Sequence, residues 1–162
     1  MTTVITLREL DGTAAEDVRS VVLACSPGTL RRRFFLPGRP DPADVLGRYR
    51  RYLLAGPPDG VALAAIDGRT TVGLLNLVAG EARVAELGIM VADPWQRQGI
   101  ATGLAGWLRA SGRWAGWTVR AVTQVDNAAA RALLRRQGFR VRHGPQHGEY
   151  EYELTMPGPE VA

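Results

Sequence analysis

Two groups of residues have the types and spacing that chemistry needs. The first is Gln96-Arg97-Gln98-Gly99-Ile100-Ala101, continued by Thr102 and Gly103. It follows a break at Asp93-Pro94 and opens a helical pattern with Ile100, Leu104, Trp107 and Leu108 on one face. The first turn of a helix has main-chain N–H groups without intrahelical partners, and the helix dipole places about half a unit of positive charge there. Small residues at Gly99, Ala101 and Gly103 leave the approach open, and Arg97 adds a cation. Such a junction suits a phosphate-like anion. The second group centres on Glu86, inside the apolar run Val84 to Ala92. A carboxylate is uncommon there. Partial burial would raise its pKa toward the range of a general base. Two-residue alternation puts Glu86, Gly88 and Met90 on one face, and Gly88 marks a candidate bulge opening that edge.

The kind of anion is narrowed by exclusion. No Lys-Ser or Lys-Thr follows the glycines, and GxGxxG is interrupted by Ala101 with no acidic residue closing a second strand nearby. The pattern present is Q-x-x-G-x-A, carried by Gln96, Gly99 and Ala101. It resembles the pyrophosphate loop of the GNAT superfamily, the acyl-CoA-dependent N-acyltransferases. Asn127 to Phe139 reads N-x-x-A-x-x-L-x-x-x-x-G-F, with Asn127, Ala130, Leu133, Gly138 and Phe139 in place. It resembles the last helix of the same superfamily. The resemblance is specific from Val84 to Phe139 and looser elsewhere. The segment Ser26-Pro27 to Phe34-Phe35 also resembles that of bacterial protein-acetyltransferase-like GNAT domains.

The resemblance implies an acyltransferase that takes acetyl-CoA, or another acyl-CoA, as cosubstrate and needs no metal. The amides of Gln98, Gly99, Ile100, Ala101 and Thr102 would hold the pyrophosphate, with Gln96 and Arg97 assisting. The backbone of Ile89, Met90 and Val91 would pair with pantetheine like an added strand. Glu86 would act as general base, often through a water, on an amine whose ordinary pKa is about 10.4. A strand amide near Leu87 or Ile89 would meet the oxyanion. Asn127 would hydrogen-bond the sulfur or the nearby pantetheine. The chain departs from the common pattern at Leu134, where the family usually has a tyrosine acting as general acid. A thiol with pKa about 8.5 leaves without much protonation, so direct attack in a ternary complex is still expected. The acceptor is a primary amine, either a protein lysine or a small molecule. The alternative is a non-catalytic acyl-CoA-binding sensor domain, favoured by the missing tyrosine and opposed by Glu86.

Several elements have to position these residues. Thr3 to Leu10 alternates as a strand. Thr13 to Glu16 reads as a capping box for a helix reaching Cys25, and Ser26 to Thr29 as a break before a short helix from Leu30. Asp41-Pro42 opens a further helix. Val61–Ile66, Thr71–Val78 and Ala82–Val91 form an antiparallel meander, with Asp67-Gly68 as a hairpin signal. Thr118 to Val125 follows a helix and is therefore parallel to the preceding strand. Asp126 and Asn127 cap the last helix, Gly138 ends it, and Phe139–Arg142 and Tyr150–Leu154 are the final strands. The fold class is α+β: a mixed, mostly antiparallel sheet of six or seven strands with four or five helices. By resemblance, its central parallel strands splay apart. Residues 1–155 form a single domain, and 156–162 read as a frayed tail.

Composition sets the outer bounds. At 162 residues with 46% hydrophobic and 22% charged content, the chain can bury a sizeable core. It has no run of 18 apolar residues, opens with no signal-peptide pattern and has the lone cysteine Cys25, so a cytoplasmic, bacterial-type enzyme is expected. The net charge is +4 and all 20 basic residues are arginine, a surplus that suits an anionic cofactor but is too mild for nucleic acid. Arg31 to Arg33 read as a solvated helix face that could instead contact substrate. Glu149, Glu151 and Glu153 read as a solvated strand face or an acidic wall for a cationic amine. His143 and His147 sit on a Gly-Pro loop without a third metal ligand. Tyr150, Tyr152 and Leu154 share a face, which makes a homodimer plausible.

Overall fold

A computed structural model describes residues 4–158. The elements run β1 (Ile5–Glu9), α1 (Ala15–Leu23), α2 (Pro27–Phe34), α3 (Pro42–Leu53), β2 (Gly60–Asp67), β3 (Thr70–Ala79), β4 (Val84–Val91), α4 (Ile100–Ala110), β5 (Thr118–Gln124), α5 (Ala128–Arg136), β6 (Arg140–Gln146) and β7 (Glu149–Thr155). The strands form one sheet in the order β1-β2-β3-β4-β5-β7-β6. Every neighbouring pair is antiparallel except β4–β5. This is the expected α+β architecture.

Helices cover both faces of the sheet, which is why β2 and β3 are buried almost throughout rather than in alternation. Leu63, Leu75, Leu77, Ala85 and Val119 pack against Leu104 and Leu108 of α4 and Leu134 of α5. On the other face Ala62, Ala64, Leu74 and Met90 pack against Val18, Val21 and Val22 of α1, Leu30 of α2, and Val45 and Leu53 of α3. Gly73 lets α4 seat closely: a Cβ there would lie 3.2 Å from Ile100 Cγ2 and 3.5 Å from Leu104 Cδ1.

The feature that makes a site is a short pairing. β4 and β5 share only Val84↔Thr118, Ala85↔Val119 and Glu86↔Arg120. Beyond these, β4 stays with β3 as far as Gly73↔Val91, and β5 stays with β7 as far as Gln124↔Glu149. Two half-sheets thus diverge, as expected of the splayed parallel pair. No bulge at Gly88 is involved, because the β3–β4 register is unbroken. The opening comes from the parting of β4 and β5.

Other local expectations change. Thr13 does not form a capping box: its N–H and hydroxyl both donate to Asp11 Oδ1, and α1 starts without a side-chain cap. Ser26-Pro27 opens α2 rather than breaking the chain, since Ser26 Oγ accepts from Thr29 N–H at 3.2 Å. Pro27 has no N–H to satisfy in that first turn. The His-Gly-Pro segment belongs to β6, and the turn into β7 is confined to His147-Gly148. Tyr152 is fully buried, and Tyr150 and Leu154 pack on the core. Their face therefore offers no dimer surface, and the sheet edge on that side is the exposed strand β6. Met156, placed in the tail from sequence, is buried, and its N–H donates to Trp117 O at 2.8 Å. Thr3 and residues 159–162 lie outside the described residues.

Candidate active site

The parting of β4 and β5 leaves a groove of about 870 Å³, closed at one side by the start of α4 and at the other by α5. Its edge on β4 follows from hydrogen-bond alternation. Gly80 N–H donates to Val84 O at 2.7 Å and Ala92 N–H to Val72 O at 2.8 Å, at the two ends of one unbroken register. In an antiparallel ladder alternate residues bond to the neighbour. Residues 84, 86, 88, 90 and 92 therefore face β3 with their main chain, while the odd residues face β5: the last parallel rung, Glu86↔Arg120, takes the Leu87 N–H, and beyond it the Leu87 C=O, the Ile89 N–H and C=O and the Val91 N–H turn into the groove. Of the three residues expected to pair with pantetheine, Ile89 and Val91 are positioned for it. Met90 is not: its main chain bonds toward Leu74, and its side chain is buried under the helices of the other face. Of the two oxyanion candidates, Ile89 has its N–H in the groove, whereas the Leu87 N–H is taken by the last β4–β5 rung, Glu86↔Arg120.

At the end of that edge the chain turns into α4. Arg97 and Gly99 both have left-handed backbones, with φ of 65° and 82°, and alternation of hand in such a loop makes a concavity of N–H groups. Among the described residues, no main-chain or side-chain acceptor takes the N–H groups of Gln98 to Thr102; the first helical bond is Gly103 N–H to Gly99 O at 3.0 Å. Ile100 anchors the turn in the core, while Arg97, Gln98, Gly99 and Thr102 are exposed. Gln96 has a different role from the one expected. Its amide donates to Val91 O at 2.9 Å and to Thr29 Oγ1 at 3.1 Å, so it fixes the loop to β4 and α2 instead of reaching an anion.

Glu86 lines the groove but is exposed. The burial expected to tune it is missing, since its side chain is left uncovered at this point of the strand. Its neighbour across β5, Arg120, pairs with Glu153 at 3.2 Å. Asn127 caps α5, its Oδ1 accepting from Ala130 N–H at 3.3 Å, which leaves its Nδ2 for the groove it lines. Leu134 is buried in the groove wall, so no hydroxyl stands at that position.

Two features escaped sequence reasoning, and a third, Arg33, was read only within the Arg31 to Arg33 run as a solvated face or a substrate contact. Asp93, read only as a strand break, accepts from Ser26 N–H at 2.7 Å and Ser26 Oγ at 2.9 Å. Desolvation pushes its carboxyl up, but these hydrogen bonds and one from Thr29 outweigh it and hold the pKa below the ordinary value. Thr123 Oγ1 is buried in the groove wall without a partner; a threonine at an inward position of β5 was the available signal. Arg33 lies with its guanidinium over the rings of Phe34 and Tyr52, 4.7 and 5.7 Å from their centroids. Burial holds its pKa below the usual arginine range.

Glu151 and Glu153 pair with Arg142 at 3.0 and 3.2 Å, so they do not form a free acidic wall. His143 sits on β6 opposite Glu151, and His147 in the turn. Burial, with the Asp93 charge adding, pushes the Cys25 thiol up to about 12, which keeps it protonated and unreactive.

The comparisons with known proteins agree with this geometry. The family profile described as an acetyltransferase (GNAT) domain matches residues 5–140. No curated protein matches the sequence. Among solved structures, the GNAT domain of PAT from S. lividans superposes with a TM-score of 0.76 at 22% identity, covering 91% of this chain and 88% of that one. A phosphinothricin acetyltransferase from Sinorhizobium meliloti, in complex with acetyl-CoA, gives 0.71 at 19% identity, covering 94% and 89%. Spermidine N-acetyltransferase from Vibrio cholerae, with CoA and spermine, gives 0.65 at 17% identity, covering 94% and 95%. A seven-stranded sheet splayed at its one parallel pair, with an open helix start at the end of the splay, defines an acyltransferase-type scaffold. The chain belongs to the GNAT acetyltransferase family.

Proposed function

We propose that this chain transfers an acetyl group from acetyl-CoA to a primary amine, by direct attack in a ternary complex. The observation that carries this reading is the continuity of the free edge. The inward C=O of Leu87, the N–H and C=O of Ile89 and the Val91 N–H lead straight to the unpartnered N–H groups of Gln98 to Thr102. That is a path for an amide-bearing arm ending in a phosphate group. Arg97 adds charge at the phosphate end. Asn127 Nδ2 would donate to the sulfur or the nearby pantetheine, and Glu86 holds the incoming ammonium and takes its proton through a water. The two acetyltransferases above named for phosphinothricin and spermidine support an amine acceptor.

A lone cysteine suits a reducing compartment, and cytoplasmic action is part of the proposal. No helix among the described residues is long and apolar enough to cross a membrane. One observation favours the sensor alternative, namely that buried Leu134 supplies no acid for the leaving thiolate.

Calorimetric titration with acetyl-CoA tests the loop. Wild type binds near micromolar, and Gly99→Glu does not. Because Gly99 has a positive φ, Thr102→Glu serves as the unstrained control: an acidic residue in the first turn favours the helix while repelling phosphate, so affinity falls about tenfold or more without loss of thermal stability. Thiol release against an amine panel then identifies the enzyme. Absence of wild-type binding at about millimolar ligand overturns the reading.

A further inference from the structure

We propose that the acceptor is a small zwitterion, an amine with a carboxylate or phosphonate a few bonds away, and that Arg33 binds its acidic group; this rests on the acyltransferase reading above. The Arg33 Nε and Nη2 atoms are buried and have no hydrogen-bond partner. Buried side-chain donors are nearly always paired in native structures. The rings of Phe34 and Tyr52 and the Tyr52 hydroxyl support the cation, but they leave the Nε and Nη2 edge of the guanidinium unsatisfied. That edge is the part that binds an oxyanion in a two-pronged contact.

The location specifies what the anion belongs to. A Cβ built on Gly88 would lie 2.2 Å from Nη2 and 2.3 Å from Cζ of Arg33. The guanidinium therefore lies against the bare backbone of Gly88, beside the groove. Glu86 is two residues along on the same face of β4, roughly 7 Å away by strand rise. One face thus presents a carboxylate for an ammonium and a guanidinium for an acid, separated by a short molecule's length. The main-chain edge proposed for pantetheine runs through the odd-numbered residues, and the phosphate amides lie past Val91, so the cofactor's anions are held elsewhere. Among the described residues no carboxylate pairs with Arg33, and Glu151 and Glu153 are taken by Arg142 and Arg120. Because the donors are buried, a compact solute reaches them more readily than a protein surface does.

The test uses the full chain, acetyl-CoA and matched acceptors: free amino acids, their methyl esters, and spermine. Thiol release gives kcat/KM for each. The decisive quantity is the acid-over-ester ratio compared between variants, because this cancels the difference in amine basicity. Arg33→Gln is expected to lower that ratio about tenfold or more, mainly through KM for the free acid. Arg33→Lys restores part of it, since it keeps the charge and loses the fork. Ester turnover and acetyl-CoA affinity stay within about twofold. If Arg33→Gln fails to fold, Gly88→Ala displaces the guanidinium and lowers the same ratio. An unchanged ratio in the folded variant, or wild-type preference for spermine, overturns the proposal and leaves the acyltransferase reading intact. Absence of thiol release with every acceptor overturns both.

Discussion

Asp93 and Ser26 are joined by two hydrogen bonds: the Ser26 N–H donates to Oδ1 at 2.7 Å, and Ser26 Oγ donates to Oδ2 at 2.9 Å. Asp93 follows β4 and precedes the anion-binding turn; Ser26 caps α2, the helix that carries Arg33. The bond from Gln96 to Thr29 runs beside it. The proposed cofactor loop and the proposed acceptor helix are thus tied into one body, so that a shift of one is felt by the other.

Asp93→Ala leaves the Ser26 N–H unpaired and is expected to cost about 1 kcal/mol of stability, together with a higher KM for acetyl-CoA. The pH dependence has a definite sign. Hydrogen bonding holds the folded carboxyl below its ordinary value of 3.8. The stabilisation is therefore fully present above that value and is lost as pH falls through the lower folded pKa. Denaturant unfolding of wild type and variant should differ at pH 7 and converge as the pH falls through the depressed folded pKa. A difference that persists in acid would assign the effect to packing.

Glu86→Gln separates catalyst from sensor. The groove carboxylate accepts a proton that an amide cannot, so kcat should fall by about 10²–10⁴, while calorimetric affinity for acetyl-CoA stays within about twofold. Equal turnover would remove Glu86 from the mechanism. Binding without thiol release in wild type would favour the sensor.

Gly73 transmits core packing to the loop. Its Cα faces Ile100, the first residue of α4, and Leu104 one turn on. Gly73→Val should destabilise the fold by about 1–3 kcal/mol and also weaken acetyl-CoA binding, because relief requires α4 and its open N-terminus to move. Gly73→Ala should show a smaller effect in the same direction. Thermal melting and calorimetry on the same samples check the coupling. Weaker stability with unchanged affinity would show that the loop is held independently of the core.

Much of this was legible from residue order alone because the signals are local. Gly99 and the small residues around it prescribe an open helix start. The Asn127 to Gly138 pattern prescribes a capped and terminated helix, and the intervening helix prescribes the parallel pair. What misled was also local. Thr13-Ala14-Ala15-Glu16 has the letters of a capping box, but Asp11 competes for the same hydroxyl. Tyr150, Tyr152 and Leu154 alternate as an exposed face would, yet that face is covered by the core.

The sequence by itself determined the class of fold, the open helix start at Gly99 and the family, since each depends on contacts within one stretch of chain or on a pattern of fixed spacing. Only tertiary structure decided which main-chain groups of β4 face the groove, that Glu86 is exposed, that Gln96 braces the loop, and that Nε and Nη2 of Arg33 lie unpaired against Gly88. Those outcomes depend on where β4 and β5 part and on how α2 docks against them. Contacts between residues dozens of positions apart set both, and no local pattern encodes them.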